Sequence, residues 1–186
     1  METFIDYCKN GDIYNIKKLS LKGYDLGMGF KWACENGHFD IVRFLCELHK
    51  NDSTYKPINI HVDDEHGFEL ACMSGHYDIV RYLCELHKND STYKPINIQT
   101  DNEHGFDLAC ENGHSDIVRF LCELHKNNPI YKPINIHANN EYGFNLACEN
   151  GHNNVVNYLL RITKRGKCKP FNNYSEIIDI CNKFLL

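Results

Sequence analysis

Ten cysteines and eleven histidines in 186 residues are enough to build a metal site or a thiol nucleophile. Cys34, His38, Cys46 and His49 can be written as a zinc set. Fingers and knuckles, however, draw two of their ligands from a short Cys pair, and no C-x-x-C occurs in this chain. A cysteine with a nearby histidine also suggests a thiol hydrolase. An enzyme needs one asymmetric constellation, whereas here each residue type recurs as a ladder. There is no G-x-S-x-G, no phosphate-cradling glycine loop and no H-E-x-x-H. The residues that could do chemistry therefore imply no catalytic site, no metal, no cofactor and no small-molecule substrate. The cysteines read instead as small core hydrophobes.

The ladder itself carries the information. Gly-His recurs at Gly37-His38, Gly75-His76, Gly113-His114 and Gly151-His152, and the cysteines follow as Cys34, Cys72, Cys110, Cys148 and as Cys46, Cys84, Cys122. The segment Cys46–Ile60 returns letter for letter at Cys84–Ile98 and, slightly altered, at Cys122–Ile136. A repeat of this length is typical of stacked arrays. Within one copy the apolar residues of Gly67–Met73 predict a short helix, stopped by Gly75. Ile79, Val80, Leu83 and Leu86 predict a second, amphipathic helix over Tyr77–Lys88. A polar loop, Pro95 and an extended segment Ile96-Asn97-Ile98 complete the copy. So small a helix pair cannot bury its own apolar face and must stack on its neighbours.

These residues resemble the ankyrin repeat. His66-Gly67-Phe68-Glu69-Leu70-Ala71-Cys72 falls on the family's T-P-L-H-x-A-A, Gly75-His76 on its Gly-His, Ile79-Val80 on I-V, Leu83-Cys84 on L-L and Ile96-Asn97 on V-N. The resemblance implies an all-α solenoid of helix-turn-helix units joined by β-hairpin-like connections. The expected boundaries are an N-terminal capping repeat over 1–24, repeats over 25–62, 63–100, 101–138 and 139–168, and a capping helix over 169–186. Three departures stand out. Thr-Pro becomes Met28-Gly29, His66-Gly67, His104-Gly105 and Tyr142-Gly143. The hairpin-tip glycine becomes Asp64, Asn102 and Asn140, which tolerate a left-handed turn best among non-glycine residues. An inserted loop lengthens each copy and carries Tyr55, Tyr93 and Tyr131, for which a packing role is expected.

Near-identical copies, with Asn present 22 times and Ile 17 times, also resemble the ankyrin proteins of mimivirus-type giant DNA viruses. That resemblance implies a host-cell cytoplasmic or virion location and an adaptor role, with a structural, virion-associated assembly protein as the alternative. The first residues lack the pattern of a secretory signal, and no run is long and apolar enough to span a membrane. A formal net charge of −5 argues against general nucleic-acid binding.

That charge is unevenly placed. The windows 61–74, 99–112 and 137–150 contain Asp63, Asp64, Glu65, Glu69, Asp101, Glu103, Asp107, Glu111, Glu141 and Glu149, and no Lys or Arg. In the resembling family the hairpin tips and first helices form the concave face where partners dock. The expected function is thus a non-catalytic protein–protein interaction module, monomeric, using these acids other than Asp64, together with Met73, to bind a basic partner protein. Lys31 and Glu69 occupy one register position in successive copies and are expected to pair. The basic run Arg161, Lys164, Arg165, Lys167 and Lys169 reads as a solvated link.

Overall fold

The structure is a computed structural model and describes residues 3–101 and 103–164. Ten α-helices and no strand occur among the described residues. Asn102, the end of the basic link from Arg165 onward and the expected capping helix 169–186 lie outside them.

The chain divides into two compact units. The first ends at Asn97 and contains α1 (Phe4–Asn10), α2 (Ile13–Ile16), α3 (Leu26–Glu35), α4 (Phe39–Asn51), α5 (His66–Ser74) and α6 (Tyr77–Asn89). The helices start where the sequence offers caps. Thr3 and Asp6 form a reciprocal capping box on α1, and Asp12 and Asp25 cap α2 and α3 by accepting the N–H of Asn15 and Met28 at 2.9 Å. First helices pack side by side, α1 on α3 and α3 on α5, while α4 and α6 back them. The core is one residue set repeated: Phe30, Ala33 and Cys34 from α3, then Ile41, Val42, Leu45 and Cys46 from α4, with register equivalents in α5 and α6.

The second unit begins at Ile98 and contains α7 (His104–Glu111), α8 (Ser115–Asn127), α9 (Ala138–Glu149, broken by non-helical backbone at Asn139, Asn140 and Glu141) and α10 (Asn153–Lys164). Here α7 packs on α9, and α10 on α8 and α9. Phe106, Ala109 and Cys110 repeat the first-helix core, and Phe144, Ala147 and Cys148 repeat it again.

The connections differ from the expected hairpins. Ile96 and Ile98 are buried, but no ladder forms around them. Instead the chain enters a left-handed turn. Asp63, Asp64 and Glu65 have φ of 49°, 51° and 72°, and Asn139, Asn140 and Glu141 have 48°, 57° and 65°. Asp101 and Glu103 are left-handed as well. Strand pairing requires extended, negative φ, so this run cannot be a hairpin arm. Each left-handed L-residue costs about 1–2 kcal/mol, least for Asp and Asn. The third residue is Glu every time, so something must offset its cost.

The inserted loop is ordered by its own side chains. Asp52 accepts the Thr54 N–H at 2.9 Å, and Asp90 accepts the Thr92 N–H at 3.0 Å and its hydroxyl at 2.6 Å. The expected packing role of the tyrosines holds. The Tyr93 hydroxyl donates to the Cys46 carbonyl at 2.8 Å, and the Tyr55 oxygen accepts the Leu21 N–H at 3.2 Å.

Candidate functional site

Two dipeptides turn a stack of helix pairs into a fixed frame. In Gly-His, the imidazole reaches back to the preceding copy. His38, His76 and His152 donate from Nε2 to the carbonyls of Lys9, Glu35 and Glu111 at 2.8, 2.9 and 2.8 Å, each oxygen lying at or near the end of a first helix. The ring fills the space above the preceding copy's glycine: a Cβ on Gly37 would lie 2.5 Å from the His76 ring, and one on Gly113 2.5 Å from that of His152. In Gly-Phe, the buried phenyl occupies the place of the next copy's missing side chain. A Cβ on Gly29 would lie 2.5 Å from Phe4, and one on Gly67 2.5 Å from Phe30. At Gly29 and Gly67 the departure from Thr-Pro is therefore a packing requirement: a side chain at either glycine would strike a ring.

The left-handed glutamates supply the next link. Glu65, only 5% exposed, accepts the Asn97 N–H at 3.0 Å and the His61 Nδ1–H at 2.8 Å. Glu103 repeats this with the Asn135 N–H at 3.3 Å and the Gln99 amide at 3.1 Å. Glu141 receives His137 Nδ1 at 3.1 Å. Each of the first two carboxylates thus ties its own turn to the backbone of the following connection. Charge-assisted hydrogen bonds of this kind offset the left-handed cost.

Behind the frame, Cys8, Cys34, Cys46, Cys72, Cys84, Cys110 and Cys148 are buried free thiols, and Cys122 is partly exposed. Burial pushes the Cys8 thiol up to about 12 and lifts Cys34, Cys46, Cys72, Cys84 and Cys110 as well. Neutral thiols are poor ligands and nucleophiles. No three His, Cys, Asp or Glu side chains converge on a metal position among the described residues. Asp90 is the strongly ionised member of this layer. Burial opposes its charge, but hydrogen bonds from Thr92 and Lys50 outweigh that and hold it down to about 2. It also meets His49 Nε2 at 3.2 Å and Lys50 Nζ at 3.0 Å, locking the inserted loop to α4.

A family model of ankyrin repeats, in three copies, matches residues 4–95. Residues 4–95 are ankyrin repeats. The second unit carries the same core residues and the same Gly-His contact in α7–α10, so the fold class of the described chain is that of ankyrin repeats, all-α. No curated protein matches the chain. No helix among the described residues is long and apolar enough to cross a membrane.

The ankyrin frame sorts the ten expected partner-binding residues. Glu65, Glu69, Glu103, Asp107 and Glu141 are buried, between 3% and 8% exposed. They are withdrawn from the surface because the left-handed turn and the first helix point them into the stack. Asp63, Asp101 and Glu149 are exposed, and Met73 and Glu111 are partly exposed. The acidic surface is thus about half as dense as its sequence suggested. Lys31 reduces it further: its ammonium pairs with Asp63 in place of the expected Glu69, and that bond lowers the Asp63 carboxyl below its usual range. Glu69 lies 3.7 Å from His66 Nδ1 instead.

Asp107 is the acid that the frame accommodates worst. Burial raises its carboxyl to about 6, against hydrogen bonds from the Asn139 amide and the Gly143 N–H. A Cβ on Gly143 would lie 2.5 Å from its Oδ1, so glycine is required beside it. Above pH 6 the folded chain holds a charge that the unfolded chain holds more cheaply. Between 6 and the ordinary value of 3.8 the folded state binds the extra proton, so stability rises as pH falls through this window. Asp107→Asn is expected to stabilise the protein by about 2 kcal/mol at pH 7.5, after allowance for partial solvent screening. The gain should vanish near pH 4, as read from urea unfolding midpoints at both pH values.

Proposed function

We propose that the protein is a non-catalytic protein-binding module that engages its partner through the exposed tips of the left-handed turns and the adjoining first helices. The observation that carries this reading is the division of labour inside each turn. The third residue, Glu, is buried and fixed, and the described residues before it project into solvent. In the first unit the exposed set is Asp63, Asp64 and the His66 side chain, with Met73 partly exposed and Met28 38% exposed. In the second it is Asp101, Asn139, Asn140, Glu149 and Tyr142, the last 49% exposed. A frame identical from copy to copy, displaying residues that change, suits recognition better than turnover.

The chemistry favoured for the partner remains basic, since the tips of the first two turns keep their carboxylates outward. Near-identical copies and the abundance of Asn and Ile favour an adaptor of giant-virus type acting in the host cytoplasm. Affinity capture from expressing cells, with proteins identified by mass spectrometry, tests the reading. Asp64→Asn with Asp101→Asn is expected to lower recovery of the captured protein several-fold, with unfolding curves unchanged because both side chains are exposed and Asn tolerates the left-handed turn as Asp does. Equal recovery would remove the acidic tips from the interface. Self-association on sizing, with nothing else captured, would favour the assembly protein.

A further inference from the structure

The copies are so alike that their few differences can be read against a built-in control, and several converge on one niche. In the first unit a cavity of about 210 Å³ lies between α4 and α6, lined by Phe39, Asp78, Arg81, Tyr82 and Glu85. Two carboxylates and a guanidinium line it. Arg81 pairs with Glu85 at 3.4 Å, and Phe39 meets the Tyr82 ring edge-on at 5.5 Å. Two periods on, the same positions lie between α8 and α10. Phe39 has become Ser115, Asp78 has become Asn154, Arg81 has become Asn157 and Glu85 has become Arg161, whereas Tyr82 is kept as Tyr158. The result is a cavity of about 420 Å³ lined by Ser115, Arg119, Asn154, Asn157, Tyr158 and Arg161. Loss of the phenyl ring accounts for the opening, and loss of both carboxylates for the change of charge.

We propose that this niche is an anion site for a phosphate group. Arg119 and Arg161 hold their guanidinium carbons 5.4 and 5.7 Å from the centroid of the buried Tyr158 ring, so one aromatic platform positions both cations. Neither forms an ion pair among the described residues, unlike Arg81 in the control niche. No carboxylate lines the cavity among the described residues, and the nearby Asp116 turns its oxygen onto the Ile117 N–H at 2.9 Å. The Ser115 hydroxyl and the amides of Asn154 and Asn157 add neutral donors. Ser115 and Asn154 stand in the first turns of α8 and α10, where the helix dipoles favour negative charge. Two planar forks with several single donors match an oxyanion with three or four acceptor oxygens better than a lone carboxylate. The same chemistry would hold inorganic phosphate or a phosphorylated side chain of a partner. This proposal stands apart from the turn-tip interface, because it uses the second helices.

Calorimetric titration of the full chain with inorganic phosphate, and with a short phosphoserine peptide beside its unphosphorylated form, tests it. Saturable binding of phosphate or of the phosphorylated peptide is expected, about tenfold weaker for each guanidinium removed in Arg119→Ala and Arg161→Ala. The triple variant Ser115→Phe, Asn154→Asp, Arg161→Glu restores three of the four changed residues, the ring and both carboxylates of the first unit, and should abolish binding with the helical signal retained. Arg43, the counterpart of Arg119 two periods earlier, holds its guanidinium carbon 5.9 Å from the centroid of Phe39 in the control niche, and Arg43→Ala should change nothing. Tighter binding of the phosphopeptide than of phosphate identifies a phosphorylated protein as the source, and equal binding identifies the free anion. Equal titration by the wild type and the double alanine variant, or equal loss in Arg43→Ala, overturns the site.

Discussion

Gly113→Ala is expected to destabilise the protein by about 3 kcal/mol, far more than its one added methyl suggests. Gly113 has φ of 76°, a conformation that costs an L-residue about 1–2 kcal/mol. Its Cβ would also lie 2.5 Å from His152 Nδ1, so the imidazole must move and its 2.8 Å bond to the Glu111 carbonyl is lost. The smaller unfolded-state freedom of alanine returns less than about 1 kcal/mol. Gly151 is the control: it holds the same register position with φ of 72°, and no described atom lies within 4 Å of its Cβ position. Gly151→Ala should therefore cost only the conformational part, about 1 kcal/mol. Urea unfolding of the two variants separates packing from backbone strain. Equal losses would mean that the histidine ring contributes nothing to the stack.

Glu65→Ala is the second large effect, expected at about 3 kcal/mol. The substitution leaves the backbone in a left-handed turn and removes what offsets it. The Asn97 N–H loses its 3.0 Å acceptor, and His61 loses its 2.8 Å partner. Glu65→Gln should cost about 1 kcal/mol, because one amide oxygen can still accept a hydrogen bond. Glu65→Gly should be milder than alanine by the left-handed cost, about 1–2 kcal/mol. That ordering, Gln and Gly above Ala, distinguishes a staple from a merely buried acid. If alanine behaves like glutamine in thermal unfolding, the carboxylate is not what holds the turn.

The acidic residues show where a linear reading loses information. Charge counting groups Asp63, Asp64 and Glu65 as neighbours of one kind. Three successive left-handed residues send the first two to solvent and the third inward, and a charge count contains no backbone angle. A usable signal was present all the same. The position of Glu65 is Glu again at 103 and 141, whereas the position of Asp64 changes to Asn at 102 and 140. Constancy between copies of one chain marks the structural member. Lys31 illustrates a similar limit. Register analogy paired it with Glu69, but Glu69 belongs to the buried helix face, so the ammonium found the exposed Asp63.

The period, the helix pairs, the buried cysteines and the left-handed tips were determined by the sequence itself. They depend on local spacing and residue type, and repetition of each motif averages out accidents. Only the tertiary structure decided which acids are surface and which are staples. It also decided why glycine precedes phenylalanine at Gly29 and Gly67, and that Ser115, Asn154 and Arg161 open one cavity. Those facts rest on contacts between copies, where an atom's partner lies about one period away along the chain. No local pattern specifies that a methyl at Gly67 would meet Phe30, because the collision exists only after the helices have stacked.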